Sequence, residues 1–561
     1  MIQSPMNTPN NHSQITSQNM KGKLMRGIIV APQPEAVEAG ATILKKGGNA
    51  IDAAIACAFV QGVVDPQMSG IGGFGSMQVY MPKRGVHEML EFYCKAPLAA
   101  TPDMWESALK KEAADGFAFM LENQQNEIGY QSIGTPGSLK GYTEALSSYG
   151  RFDLADVMAP AIAQAERGFV VRPHVHWYWT QDQSRNGQVN IIDKLRFSKA
   201  GRSVYFHPDG KLKGLGERVY NPDLAQTLKR IAQHGPDLFY NGEMAEEFID
   251  DMQANGGLLT MEDLRQYELT KTAPLWGTYR GHEISTSQPP ASGPALLQFL
   301  NIMEQFDLSS YPHNSVEHIA LMSEAMRRMT IDKDLFIGDP LYDDLPVDRL
   351  ISKEYAAELA QDILSGRRAE VSRYSSVESE PKDTTTVVAC DSEGNIAALT
   401  HTIASPSGVI TNGHGFMWNG CMSRFDPRPG HAKSLAPGKR RASSQAPTIM
   451  FKDQRPVLAV SAPGGGYIAP AIGQCVMNIL DYKMSIQEAI FAPRAMAISN
   501  AIDVSNRIPN FVTDVLAADG YKINRSYQSY PFAGLHGIQM SASGDWTGCA
   551  DPQRDGMALV V

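Results

Sequence analysis

Residues 381–402, Pro-Lys-Asp-Thr-Thr-Thr-Val-Val-Ala-Cys-Asp-Ser-Glu-Gly-Asn-Ile-Ala-Ala-Leu-Thr-His-Thr, hold two threonines, Thr384 and Thr402, that a single turn brings together. Two β-rich runs flank Asp391-Ser-Glu-Gly-Asn395, whose polar and glycine content suits a turn with positive φ angles. A fold-back centred on Glu393 sets Thr384 opposite Thr402, and a change of one loop residue would break that register. A threonine hydroxyl is a poor nucleophile. Freed as a chain N-terminus, the same residue gains an α-amine with a reference pKa of about 7.7–8.0, which takes the hydroxyl proton directly or through a water. Nucleophile and base then reside in one residue. Taken alone, a motif this short reads first as an ordinary half-buried hairpin with surface threonines.

Acyl transfer also needs donors, typically two, for the developing oxyanion. Ser461-Ala-Pro-Gly464-Gly465-Gly466 follows the apolar run 457–460 and offers consecutive backbone amides with no side chain in the way; on its own it is a tight turn. Between residues 424 and 441 lie Arg424, Arg428, Lys433, Lys439, Arg440 and Arg441 against one acid, Asp426. That loop is either a solvated basic surface or the rim of a site for an anionic substrate. His401 is adjacent to Thr402, but strand alternation points it to the opposite face, toward packing rather than catalysis. His414 lies nearby without an assigned role. The six cysteines have no CxxC or other metal-ligand spacing, so reduced, mostly buried thiols are expected and no cofactor is implied.

The elements that must position these residues follow from the apolar pattern. Ala36, Ala39, Ile43 and Leu44 share a helical face that Gly47-Gly48 ends; Asn49 then caps a second helix over 50–63, apolar nearly all round and therefore central. Gly70-Ile-Gly-Gly-Phe-Gly75 looks like a dinucleotide loop, yet a helix precedes it and a strand, 76–81, follows, the reverse of the order such a loop needs. Glycines that let backbone pass close beneath a core strand are the better reading. Residues 96–380 are mostly helical, with Gly134-Thr-Pro-Gly137 leading into one helix, Thr260 and Asp263 forming a capping box, a strand-like run over 278–286 and a helix over 294–305. The polar stretch 366–382 reads as an exposed arm, the kind of segment where a chain is cut. Beyond it strand-like runs dominate, at 386–390, 396–403, 447–451, 457–461, 537–541 and 546–550.

A chain of 561 residues with 43% apolar and 20% charged residues buries a large core. Its net charge of −10 argues against a nucleic-acid surface. No apolar run is long enough to span a bilayer, and residues 1–25 are a polar tail without the apolar region of a secretory signal, so a cytoplasmic location is the expectation.

In combination, Asp383-Thr384-Thr385, Thr400-His-Thr402, Arg441-Ala-Ser443-Ser444-Gln-Ala-Pro447-Thr448 and Pro463-Gly464-Gly465 resemble the γ-glutamyltransferase family of N-terminal nucleophile hydrolases. Gly47-Gly-Asn-Ala-Ile-Asp-Ala-Ala54, Gly70-Ile-Gly-Gly-Phe74, Asp334-Leu-Phe-Ile-Gly-Asp-Pro340 and Ala550-Asp-Pro-Gln-Arg-Asp-Gly556 match the same family in order along the chain. The resemblance implies an α+β fold, a four-layer αββα sandwich, in which the precursor cuts itself between Asp383 and Thr384. A large chain, 1–383, and a small chain, 384–561, would stay associated, with a higher homo-oligomer left open. It further implies Thr384 as nucleophile, Thr402 as the hydroxyl that steadies it, Gly464 and Gly465 as oxyanion amides, and Ser443 and Ser444 as the pair gripping a substrate carboxylate.

Three departures bear on the substrate. The family's carboxylate-binding arginine, after an acidic-Phe pair, is Tyr93 here, after Glu91-Phe92. The acid that holds an α-ammonium is Arg424, in a loop where Cys421 is a small neighbour of the pocket, and an asparagine expected two places after Thr402 is Ala404. An arginine facing an ammonium is repulsive, whereas it suits a carboxylate through a bidentate pair. The expected substrate is therefore a small anion without a free α-amine, a dicarboxylic monoamide or N-acyl compound, as in the branches of the family that act on oxamate or glutaryl amides. The loop 425–443 is shorter than the lid-bearing stretch of many members, which favours hydrolysis over transfer. A γ-glutamyl hydrolase or transferase with displaced anchors, and an unprocessed inactive binding protein, are the alternatives.

Overall fold

A computed structural model describes residues 26–112, 118–184, 187–372, 383–526, 532–541 and 544–561. The expected N-terminal tail and most of the polar arm before Asp383 lie outside them. Two antiparallel sheets face each other. The first has seven strands in the order Met557–Val560, Gly27–Ala31, Thr385–Asp391, Ile396–Thr402, Phe74–Met81, Val86–Phe92, Thr270–Thr272. The second has six, in the order Trp546–Ala550, His536–Met540, Arg455–Ser461, Thr448–Lys452, His282–Thr286, Leu275–Tyr279.

Period-two alternation builds the layers. Ile28, Val30, Val388, Cys390 and Ile396 from the first sheet meet Ile449, Phe451, Ala459 and Ile538 from the second in a dry interlayer. Their sequence neighbours Ile29, Val387, Ala389, Ala397 and Leu399 turn outward onto the helices Pro34–Lys45, Ala50–Val64 and Ser138–Tyr149. On the far side, Ile284, Met450, Leu458 and Val460 pack under the helices Gly293–Glu304, Val316–Phe336 and Ile468–Leu480. The result is the αββα sandwich.

The central hairpin has the expected register. Thr385 pairs with His401 and Cys390 with Ile396. Its turn is held by Asp391, whose Oδ1 accepts from the Glu393 and Asn395 amides at 2.9 and 3.1 Å, with Gly394 at φ 81°. The other oxygen of Asp391 accepts from the Ala50 amide at 3.0 Å, fixing the turn to the start of the apolar helix. Asn49 caps that helix through Oδ1, 2.9 Å from the Ile51 amide, and Asp52 closes the box back onto the Asn49 amide at 2.8 Å.

One expectation is corrected in detail. The run 278–286 is not a single strand but the meeting of two, turned at Arg280-Gly281, where φ angles of 49° and 71° reverse the chain. All six cysteines are free and buried. Among the described residues no helix is long and apolar enough to cross a membrane.

Candidate active site

The hairpin's open end brings the two threonines together. Continuing its register by one residue sets Thr384 opposite Thr402, and both are buried. Thr384 sits just before the strand with φ 92°, a conformation that a β-branched side chain rarely adopts. The Thr402 hydroxyl oxygen accepts from the Ala404 amide at 2.9 Å, which orients it, and Ala404 itself has φ 62°.

Glycines let the neighbouring strands come this close. A Cβ on Gly73 would lie 2.3 Å from the Thr402 carbonyl oxygen, and one on Gly75 would lie 2.5 Å from that of Thr400. The Gly70–Gly75 segment thus serves close passage, as its position between helix and strand indicates.

From the second sheet, the strand Arg455–Ser461 ends beside the end of the strand Ile396–Thr402: the hydroxyls of Ser461 and Thr400 are 2.6 Å apart. The next residues lead to Gly464 and Gly465, with φ angles of 145° and 54°. A Cβ on Gly464 would meet Cβ and Cα of Ala533 at 2.5 and 2.6 Å, so no other residue fits. Backbone amides are therefore carried to the same end of the sandwich as Thr384.

Tyr93, Ala404 and Cys421 come together in one buried cluster with Phe74, Cys94 and Ala291. Phe74 pairs with Thr402, so this cluster adjoins the hairpin's open end. The Tyr93 hydroxyl is buried next to Ser76, and burial raises its pKa. Ser443 is locked by backbone: its amide donates to the Pro290 carbonyl at 2.8 Å and its carbonyl accepts from the Ser292 hydroxyl at 2.9 Å. Ser444 follows it, also buried.

Arg424, at the end of the short turn of helix Cys421–Arg424, donates to the Asp383 carboxylate at 3.1 Å. The other oxygen of Asp383 accepts from the hydroxyl of Tyr178, on the helix Pro173–Trp179. Burial first, then the Asp383 charge, push the Tyr178 hydroxyl up, so it remains a donor. Arg554 adds its field to Asp383 from the other side. Sequence reasoning missed Tyr178, which had no signal, and Arg554, whose signal was its place in the motif 550–556.

The basic loop is not a solvated surface. Lys433 pairs with Asp334 at 2.7 Å, Lys439 with Asp343 at 2.8 Å, and Arg428 with Asp426 at 2.6 Å. Arg440 binds both Asp339, at 2.7 Å, and Glu91, at 2.9 Å. Four of the loop's six cations, Lys433, Lys439, Arg440 and Arg441, are buried.

His401 is excluded from the chemistry by its partners. Its Nε2 donates to Gln61 Oε1 at 2.8 Å and its Nδ1 accepts from the Tyr142 hydroxyl at 2.6 Å, while burial lowers its pKa to about 3. Gln61 in turn donates to the Thr385 hydroxyl at 3.0 Å, so this network braces the strand Thr385–Asp391 from behind. His414 pairs with Glu247 at 2.6 Å, against the ring of Phe248.

The family model described as gamma-glutamyltranspeptidase matches residues 36–561. The chain is 36% identical over 539 residues to the acylase ACY 1 proenzyme of Pseudomonas sp. (strain SE83), across 96% of this chain and 94% of that protein. It is 33% identical over 558 residues to the glutathione hydrolase proenzyme of Bacillus subtilis (strain 168), across 95% and 91%. Among solved structures it is similar to cephalosporin acylase from Bacillus halodurans, with a TM-score of 0.83 and 26% identity over 95% of this chain and 96% of that one.

Proposed function

The chain belongs to the gamma-glutamyltranspeptidase family, and on that premise we propose that it is a self-processing amidohydrolase acting on a dicarboxylic monoamide or N-acyl substrate without a free α-amine. In this reading the precursor is cut between Asp383 and Thr384, leaving chains 1–383 and 384–561 associated. The Thr384 hydroxyl attacks the amide carbonyl, its proton passing to the new α-amine and then to the departing amine; water hydrolyses the ester and restores the enzyme. The Gly464 and Gly465 amides take the oxyanion, Thr402 steadies the nucleophile, and Ser443 and Ser444 hold the substrate. Hydrolysis rather than transfer fits a loop 425–443 short of a lid.

The observation that carries the substrate class is the Arg424–Asp383 pair. Asp383 is the acyl side of the bond to be cut, so its side chain stands where a substrate's acyl tail would attach. That tail is a carboxylate, and it is met by an arginine. An α-ammonium in the same place would face a like charge.

Two experiments test this. On a denaturing gel the 61.3 kDa chain splits in two, and Thr384→Ala leaves a single band. A wild-type chain that never splits would defeat the enzyme mechanism in favour of a binding role. With the processed protein, glutaryl-p-nitroanilide is turned over faster than γ-glutamyl-p-nitroanilide, and Arg424→Asp narrows or reverses that preference. Rapid turnover of the γ-glutamyl compound by the wild type would instead establish a γ-glutamyl hydrolase or transferase.

A further inference from the structure

Of the six cations on the loop 424–441, five have a carboxylate partner, drawn from Asp383, Asp426, Asp334, Asp343, Asp339 and Glu91. Arg441 has none among the described residues. It is 5% exposed, and its guanidinium spends one nitrogen, Nε, on the Ala442 carbonyl at 2.9 Å. Its other neighbours are the face of Phe74, 4.9 Å from the ring centroid, and the thiol of Cys421. Arg424 lies close enough to act on it as a like charge. A guanidinium withdrawn from water without a counter-charge is an expensive arrangement, retained where a ligand supplies the missing anion.

The surroundings place that ligand. Phe74 pairs with Thr402, and Phe74 and Cys421 both belong to the cluster that contains Tyr93 and Ala404. Tyr93 carries a buried hydroxyl next to Ser76 and within the field of Arg441. Ser443 follows two residues on, held in place by Pro290 and Ser292. Arg441 and the Tyr93 phenol thus converge beside the hairpin's open end.

We propose that Arg441 is a specificity-determining residue that binds the distal carboxylate of the substrate's acyl group, jointly with Arg424. The two guanidiniums form a clamp for one carboxylate, with planar donors on both sides of it. In the uncut chain Arg424 is held by Asp383, whereas Arg441 stands without an acid. This inference rests on the amidohydrolase reading above and deepens it: the clamp selects acyl groups ending in a carboxylate and rejects those ending in an ammonium.

The test compares wild type, Arg441→Met and Arg441→Lys. Glutarate is titrated into each purified protein by calorimetry, and kcat/KM is measured for glutaryl-p-nitroanilide and for the uncharged pentanoyl-p-nitroanilide. Arg441→Met is expected to weaken glutarate binding by roughly tenfold or more, the scale of losing a charge-assisted pair. The glutaryl-to-pentanoyl ratio of kcat/KM should fall by a similar factor, chiefly through KM, and Arg441→Lys should recover part of both. A merely structural role would lower both substrates together and leave the ratio unchanged. In the split protein, where Asp383 no longer has to occupy Arg424, glutarate binding that is absent in the wild type, or that survives Arg441→Met within twofold, overturns the proposal. Failure of the chain to split, or preference for γ-glutamyl-p-nitroanilide, overturns the amidohydrolase reading instead.

Discussion

Thr384 has φ 92° in the uncut chain, and that angle exists only while the peptide bond to Asp383 exists. Cleavage there, as proposed above, would abolish the dihedral and release the strain of a β-branched residue on the wrong side of φ. The prediction belongs to chains that lack the hydroxyl: Thr384→Gly should be more stable than Thr384→Ala by about 1 kcal/mol, because glycine accepts positive φ without cost. Urea midpoints compare them, and equal midpoints would show that residue 384 is unstrained. The threonine pair was legible because local rules decide it: Asp391 and Gly394 build the turn, and the turn sets the register. The partners of the basic loop were not. Asp334, Asp339, Asp343 and Glu91 reach it from distant parts of the chain, and Arg441 becomes conspicuous only after every other cation has found its acid.

At the scale of elements, the glycine segment before the strand Phe74–Met81 is what allows three backbones to meet at the site. Gly73→Ala would push a methyl group to 2.3 Å from the Thr402 carbonyl oxygen, a contact that only backbone movement relieves. The expected cost is about 1–3 kcal/mol, the range for overpacking. Activity should fall as well, although no reacting group has been removed. Unchanged urea midpoint and kcat would mean that the strand end yields freely. The sequence placed this segment between a helix and a strand and so excluded a nucleotide loop, but which strand it passes beneath required the fold. The run 278–286 shows the complementary limit: two short strands and a tight turn have the same β-rich composition as one longer strand.

For the whole molecule, buried histidines are one of two opposed contributions to the response to acid. Burial holds His401 and His536 to about 3 and His318 to about 4, below the ordinary value of about 6.5 that each regains on unfolding. Between those limits the unfolded chain binds more protons, so the stability they permit is fully present above about pH 6.5 and declines as pH falls toward 4. At pH 5 each such histidine costs about 2 kcal/mol relative to pH 7. Buried carboxylates act in the opposite sense, since burial raises Asp65 to about 8 and Glu91 to about 7 and the folded chain takes up protons there as pH falls. The histidine contribution is therefore read by difference: the urea midpoint of His401→Gln should lose less, or gain more, between pH 7 and pH 5 than that of the wild type, and equal changes would contradict the burial of this ring.

The order of the seven strands carries one more consequence. Strands from 1–383 and from 384–561 share the first sheet, with Gly27–Ala31 inserted between Met557–Val560 and Thr385–Asp391. Neither portion alone supplies all the strands of either of the two facing sheets. Before the cut, assembly is a first-order search within one chain; after it, the same sheet can be regained only by a second-order encounter between two polypeptides, each exposing unpaired edges in the meantime. A processed molecule that unfolds at low concentration should refold at a rate proportional to its concentration, or be lost to aggregation, while an uncut Thr384→Ala chain refolds independently of dilution. For a chain processed as proposed, the working lifetime would then be governed by how slowly it opens, since cleavage spends its one unimolecular route to the native state.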